Sequence, residues 1–228
     1  MSLYDFCRNP GSLVARERLL FMRTLYEMKL HGACHGVQLL MTEPEIDRDG
    51  FDFSVAWGYH HLFLQNKTTL SDTSVSSWSI HTELLAAAWH DRDLAPVANG
   101  LPVMLPDAAS GGVLLHVIDA EAAKRNELKV ADFYFDIFFA AGVATGAHEV
   151  AGFSPKRAGD LLSKIQEGAP RIELPKCAFF PVRSPAAAVA LRFHIPAGSN
   201  YVSLANLQAG NPMAALRSQE IHSWAPGA

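Results

Sequence analysis

The stretch from Glu45 to Thr69 admits few folds. Phe51, Phe53, Val55 and Trp57 alternate with Asp52, Ser54 and Ala56, the period of a strand with one apolar side. A second β-prone run follows from His61 to Thr68. Between the two, Gly58-Tyr59 suits a two-residue hairpin loop with glycine at its first central position. That loop puts Trp57 opposite His60 and, counting back, Asp52 opposite Gln65. Directly opposed residues share a face, and Lys67, two residues past Gln65, returns to it. The register therefore predicts a carboxylate, an amide oxygen and an ammonium on one side of the hairpin. Phe51, Phe53, Val55, Leu62 and Leu64 are expected on the other side.

That grouping has a chemical use. A hard cation such as Mg2+ takes oxygen ligands in near-octahedral geometry, commonly one or two carboxylates completed by waters and phosphate oxygens. Asp52 can supply the carboxylate, and the Gln65 side-chain carbonyl, or the backbone carbonyl beside it, a second oxygen. Lys67 can orient an attacking water or offset charge building on phosphorus. A phosphodiester is the natural substrate for such a set. The plainer alternative is a surface ion pair between Asp52 and Lys67, with Gln65 a solvated neighbour; against it, Gln65 and Lys67 sit inside an apolar run. Asp49 reads either as a further ligand or as part of an Asp49-Gly50 turn.

The sequences Asp-Gly-Phe-Asp-Phe, ending at Phe53, and Phe-Leu-Gln-Asn-Lys-Thr, ending at Thr68, resemble the motifs of the PD-(D/E)xK nuclease superfamily. The closest likeness is to the branch of this restriction-endonuclease-like fold whose second motif is Gln-x-Lys. The resemblance covers the first half of the chain. It implies a divalent-metal-dependent endonuclease that hydrolyses DNA, with RNA as a second substrate class, in restriction, repair or defence. It implies that Asp52, Gln65 and Glu17, the last from a helix ahead of the hairpin, hold Mg2+ or Mn2+, and that Lys67 assists the chemistry. Glu27 and Asp49 stand beside Glu17 as candidates to complete the site. The family's habit also implies a homodimer acting on opposite strands, with room for a protein partner or activator. Gln65 stands where the commonest pattern has a carboxylate. That departure supports an alternative of another class, a non-catalytic interaction protein retaining a degenerate nuclease fold.

Composition narrows the setting. With 228 residues, 49% hydrophobic and 18% charged, the chain can bury a sizeable core. A formal net charge of −4 means that any contact with DNA must come from a local cationic patch. Lys124/Arg125 and Lys156/Arg157 are two such pairs, or else solvated helix faces. Cys7, Cys34 and Cys177 are widely spaced and odd in number, which points to reduced thiols. The opening residues lack a charged-then-apolar leader pattern, and the apolar run Phe133 to Val143 is broken by Asp136 and too short to span a bilayer. A cytoplasmic protein with no membrane partner is expected.

The rest of the chain reads as an α/β fold, a mixed central sheet flanked by helices. Residues 1–129 form the nuclease-like core, and residues 130–228 form a β-rich extension packed on it or continuous with it. Helices are expected from Leu13 to His31, capped by Ser12 and stopped by Gly32, and over Trp78 to His90. Further helices are expected over Ala120 to Leu128 behind Asp119, Pro155 to Gln166 behind Ser154, and Met213 to Ser223. Strands are expected over Val37 to Met41, Val113 to Ile118, Asp132 to Ala140, Cys177 to Val182, Ala187 to His194 and Tyr201 to Leu207.

Overall fold

The computed structural model describes residues 2–36, 38–44, 50–57, 60–86, 110–144, 146 and 149–193. The hairpin loop Gly58-Tyr59, Asp49, and the expected elements at Tyr201 to Leu207 and Met213 to Ser223 lie outside them.

Ser2 and Asp5 cap each other's backbone and start a short helix, α1 (Leu3–Arg8), that the periodicity did not reveal. Ser12 does not cap the next helix. It ends a 3-10 turn, Pro10–Ser12, in which the Asn9 side chain accepts the Gly11 N–H. Helix α2 (Leu13–His35) then runs through Gly32, which is buried, and stops one turn later at Gly36. Gly36 adopts φ +64°, a left-handed conformation that glycine enters without a Cβ penalty. Leu20, Phe21, Thr24 and Met28 face inward. Leu13, Met22 and Leu30, apolar residues of the same helix, are exposed.

Three antiparallel strands follow: β1 (Leu40–Thr42), β2 (Phe53–Trp57) and β3 (His60–Leu70). Trp57 pairs with His60 and Phe53 with Leu64, the register that the two-residue loop dictates. Strand β4 (Ser77–His81) and α3 (Thr82–Ala86) replace the expected helix over Trp78 to His90, whose last residues lie outside those described. The cause is distant in sequence: β4 pairs with β7 (Arg171–Pro175), and the Trp78 ring meets Phe179 edge-on at 5.6 Å. Tertiary pairing outweighs local helical spacing. Strand β5 (Ser110–Ile118) lies parallel to β3, and Asp119 caps α4 (Ala120–Lys124) as expected.

Strand β6 (Val130–Phe135) ends earlier than its apolar run. The Asp136 carboxylate accepts the Phe139 N–H at 2.7 Å and starts α5 (Ile137–Ala144). Helix α6 (Pro155–Gln166) has Ser154 as its N-cap, as expected. Cys177 sits in a 3-10 turn ahead of a short β8 (Phe180–Val182). The expected strand over Ala187 to His194 is instead α7 (Pro185–Phe193), where four alanines favour helix. Strands β6 and β8 join the same six-stranded sheet, in the order β1-β2-β3-β5-β6-β8, and the described residues after 129 contribute both strands and helices.

Alternation sorts the sheet into two faces. Phe53, Val55, Leu62, Leu64, Leu114 and Tyr134 are buried on one face, where α2 lies and the Phe21 ring meets Phe53 edge-on at 5.4 Å. On the other face α3 comes so close to β5 that a Cβ built on Gly111 would fall 1.7 Å from the Leu84 carbonyl oxygen. That neighbour is backbone and cannot rotate away. Gly111→Ala is therefore expected to lower stability by at least about 3 kcal/mol in urea denaturation. A near-neutral effect would mean that α3 does not pack there.

Candidate functional site

Strand β3 carries Phe63, Gln65 and Lys67 on the α3 face and Leu64 and Asn66 on the α2 face. Its ladder with β2 is regular up to Phe53 and then breaks at Asp52. The Asp52 N–H donates to the Leu64 carbonyl at 2.9 Å, one residue out of step. The Asp52 Oδ2 accepts the Asn66 N–H at 2.6 Å. Asp52 is thus tied to the backbone of the residue between Gln65 and Lys67, rather than set squarely opposite Gln65. The break also turns Phe51 over: its ring packs against Phe63 at 4.6 Å, on the Gln65 side, and not beside Phe53.

The approach to Asp52 is held from behind. Gly50, buried at φ +73°, lies against His81, and a Cβ there would come within 2.8 Å of the imidazole. His81 in turn meets the Arg171 guanidinium. Asp52 is exposed, Lys67 half-buried and Gln65 buried. The Gln65 Oε1 has no hydrogen-bond partner among the described residues. An unsatisfied buried acceptor of this kind costs about 1–3 kcal/mol. A cation or a water at that oxygen would remove the penalty.

Glu17 is exposed on α2, the helix packed against the opposite face of the sheet. Glu27 pairs with Arg23 at 3.0 Å. No three His, Cys, Asp or Glu side chains converge as a metal site among the described residues. Among its described residues the hairpin offers one carboxylate and one amide oxygen without a partner, a set that fits Mg2+ or Mn2+ where waters and phosphate oxygens complete the coordination. Of the cationic pairs, Lys124 meets Glu121 at 2.6 Å and Arg125 meets Glu127 at 3.6 Å. Arg157 donates to the Gly152 carbonyl.

Behind β3, on the α2 face, lies a polar line that the sequence reading missed. Arg23 forms a bidentate pair with Asp132, Nη1 to Oδ1 at 2.8 Å and Nη2 to Oδ2 at 2.7 Å. The His116 Nδ1 lies 2.7 Å from Asp132 Oδ1, and its Nε2 lies 3.2 Å from Asn66 Oδ1. His116 and Asp132 are fully or almost fully buried, at 0% and 2% exposure. Burial alone pushes the Asp132 carboxyl up, but the hydrogen bonds and charges of His116 and Arg23 hold it below the ordinary carboxylate range. A signal was present: His116 interrupts the apolar run of β5, and Asp132 precedes the aromatic Phe133-Tyr134-Phe135.

No protein-family model matches the chain, and no curated protein matches it in sequence. No helix among the described residues is long and apolar enough to cross a membrane.

Removing the Asp132 charge leaves Arg23 and His116 without their shared anion. Asp132→Asn should cost about 3 kcal/mol at neutral pH. Because the folded carboxyl is depressed, its contribution is complete above the unfolded value and lost as pH falls through the folded one. The gap between wild type and variant should hold down to about pH 4 and close below it. Urea melts across that range check this, and a gap that persists at the lowest pH would contradict it.

Proposed function

We propose that the chain is a divalent-metal-dependent endonuclease that hydrolyses DNA phosphodiester bonds on the β2–β3 hairpin, with Asp52, Gln65 and Lys67 as its working residues. The observation that carries this reading is the Gln65 Oε1, buried and unpartnered among the described residues, on the face that Lys67 shares and next to the backbone that Asp52 grips. A supporting observation is the order of elements: a long helix, three antiparallel strands, a helix, and a strand parallel to the third. That order is the one the restriction-endonuclease-like fold requires. Strand β4 is an insertion within it, paired outside the main sheet.

In this mechanism the carboxylate of Asp52 and the amide oxygen of Gln65 bind the cation. A divalent cation held there supplies an acidified water and a polarised phosphate. The Lys67 ammonium, two residues from Gln65 on the same strand, holds the water or a non-bridging phosphate oxygen in line. It offsets negative charge as the water oxygen bonds to phosphorus and the bond to the leaving oxygen breaks. Glu17, on the far face, is not assigned a role in this set. The expected pairing of two copies on opposite strands belongs to the same proposal.

A second reading has an observation of its own. Leu19, Met22, Tyr26 and Leu30 recur at helical spacing on α2 and are exposed. Such a stripe suits a protein partner, and a lone carboxylate in the hairpin suits a member that no longer cleaves.

Plasmid cleavage separates the two. Wild type with Mg2+ or Mn2+ should nick supercoiled DNA, and EDTA should stop it. Asp52→Ala and Lys67→Ala should remain folded and lose at least about 100-fold in rate. Activity surviving in both variants would overturn the assignment, and an inactive, metal-indifferent wild type would favour the interaction protein.

A further inference from the structure

Asn66 is the point where the two faces of the sheet meet. Its N–H holds the Asp52 carboxylate at 2.6 Å, its neighbours Gln65 and Lys67 face α3, and its side chain turns back toward His116. We propose that Asn66 is a positioning residue, and that the buried line Arg23–Asp132–His116 exists to fix it, and through its N–H the Asp52 carboxylate. The proposal rests in part on the reading of Asp52 as a metal-binding residue.

Hydrogen-bond chemistry supports the direction of the line. Asp132 can only accept, so the His116 Nδ1 carries a proton. The Nε2 then donates to Asn66 Oδ1 in the imidazolium form, or accepts from the Asn66 NH2 when the amide is turned round. Either way the ring holds Asn66 in one orientation. Arg23 closes the far end: its fork binds both Asp132 oxygens, and Glu27 takes Nη2 at 3.0 Å, so Asp132 cannot swing away from His116. Buried charges of this kind add little stability over well-packed apolar residues. Every other described position of β5 from Gly111 to Ile118 is glycine, leucine, valine or isoleucine, so an apolar residue at His116 would suit the core as well. What an apolar residue would not supply is a hold on the strand that presents Gln65 and Lys67.

The test is hydrogen exchange of the amide at position 66, followed by NMR, together with Mn2+ affinity by calorimetry. In folded His116→Ala that amide should exchange about tenfold faster, and Mn2+ affinity should fall about tenfold, the scale of losing an outer partner of a metal ligand. The Leu62 and Leu64 amides in the same hairpin should not change. His116→Gln, which can still hydrogen-bond Asn66, should recover part of both effects. Asn66→Ala, at a half-buried position, should repeat them and decides the matter if His116→Ala does not fold. Unchanged exchange at position 66 in a folded variant, or an acceleration shared by the whole hairpin, overturns the proposal. A wild type that binds no Mn2+ would sink the metal-site reading alone, since amide exchange still decides whether the line positions Asp52.

Discussion

Strand β3 is hydrogen-bonded along both edges, antiparallel to β2 and parallel to β5, and the arrangement of the molecule follows from its register. Side chains alternate, so a slip of one residue would send Gln65 and Lys67 to the α2 face and bring Leu64 and Asn66 to the other. Three features resist that slip. The hairpin pairs Trp57 with His60. Leu62 and Leu64 are buried beside Phe53 and Val55 under α2. Gly111, the β5 partner of Phe63, lets α3 lie almost on the sheet.

The polar groups that β3 itself carries differ between its two faces. On the α2 side Arg23, Asp132, His116 and Asn66 satisfy one another, and burial makes each contact strong. On the α3 side Gln65 is buried, with its acceptor oxygen unpartnered among the described residues. An orphaned acceptor weakens the fold, and residues that weaken a fold at one spot are commonly held there for binding or chemistry. A rigid, satisfied network behind a strand and an unsatisfied oxygen in front of it is the arrangement a preorganised site needs.

The parts legible in the sequence are those set by neighbours. The hairpin register follows from alternation and a two-residue loop, and α6 from Ser154 ahead of Pro155. The parts that were not legible depend on residues far along the chain. Ile80 pairs with Ile172, which makes Trp78 to His81 a strand in spite of its helical spacing. The strand expected over Ala187 to His194 has a more local cause: Arg192 and His194 alternate with Leu191 and Phe193, while the alanines ahead of them favour helix. The break at Asp52 was hidden because it comes from a side chain replacing a backbone partner. His116 and Asp132 were each visible as polar residues in apolar strands, but only the fold brings them to Arg23.

Mn2+-induced broadening of backbone amide resonances locates a bound cation without requiring any activity. Titrated into the wild-type protein at low millimolar metal, Mn2+ should first bleach the amides of Asp52, Gln65, Asn66 and Lys67, and Asp52→Ala should abolish the effect. Broadening centred on another part of the chain, or the same pattern in Asp52→Ala, would contradict a cation site on the β2–β3 hairpin.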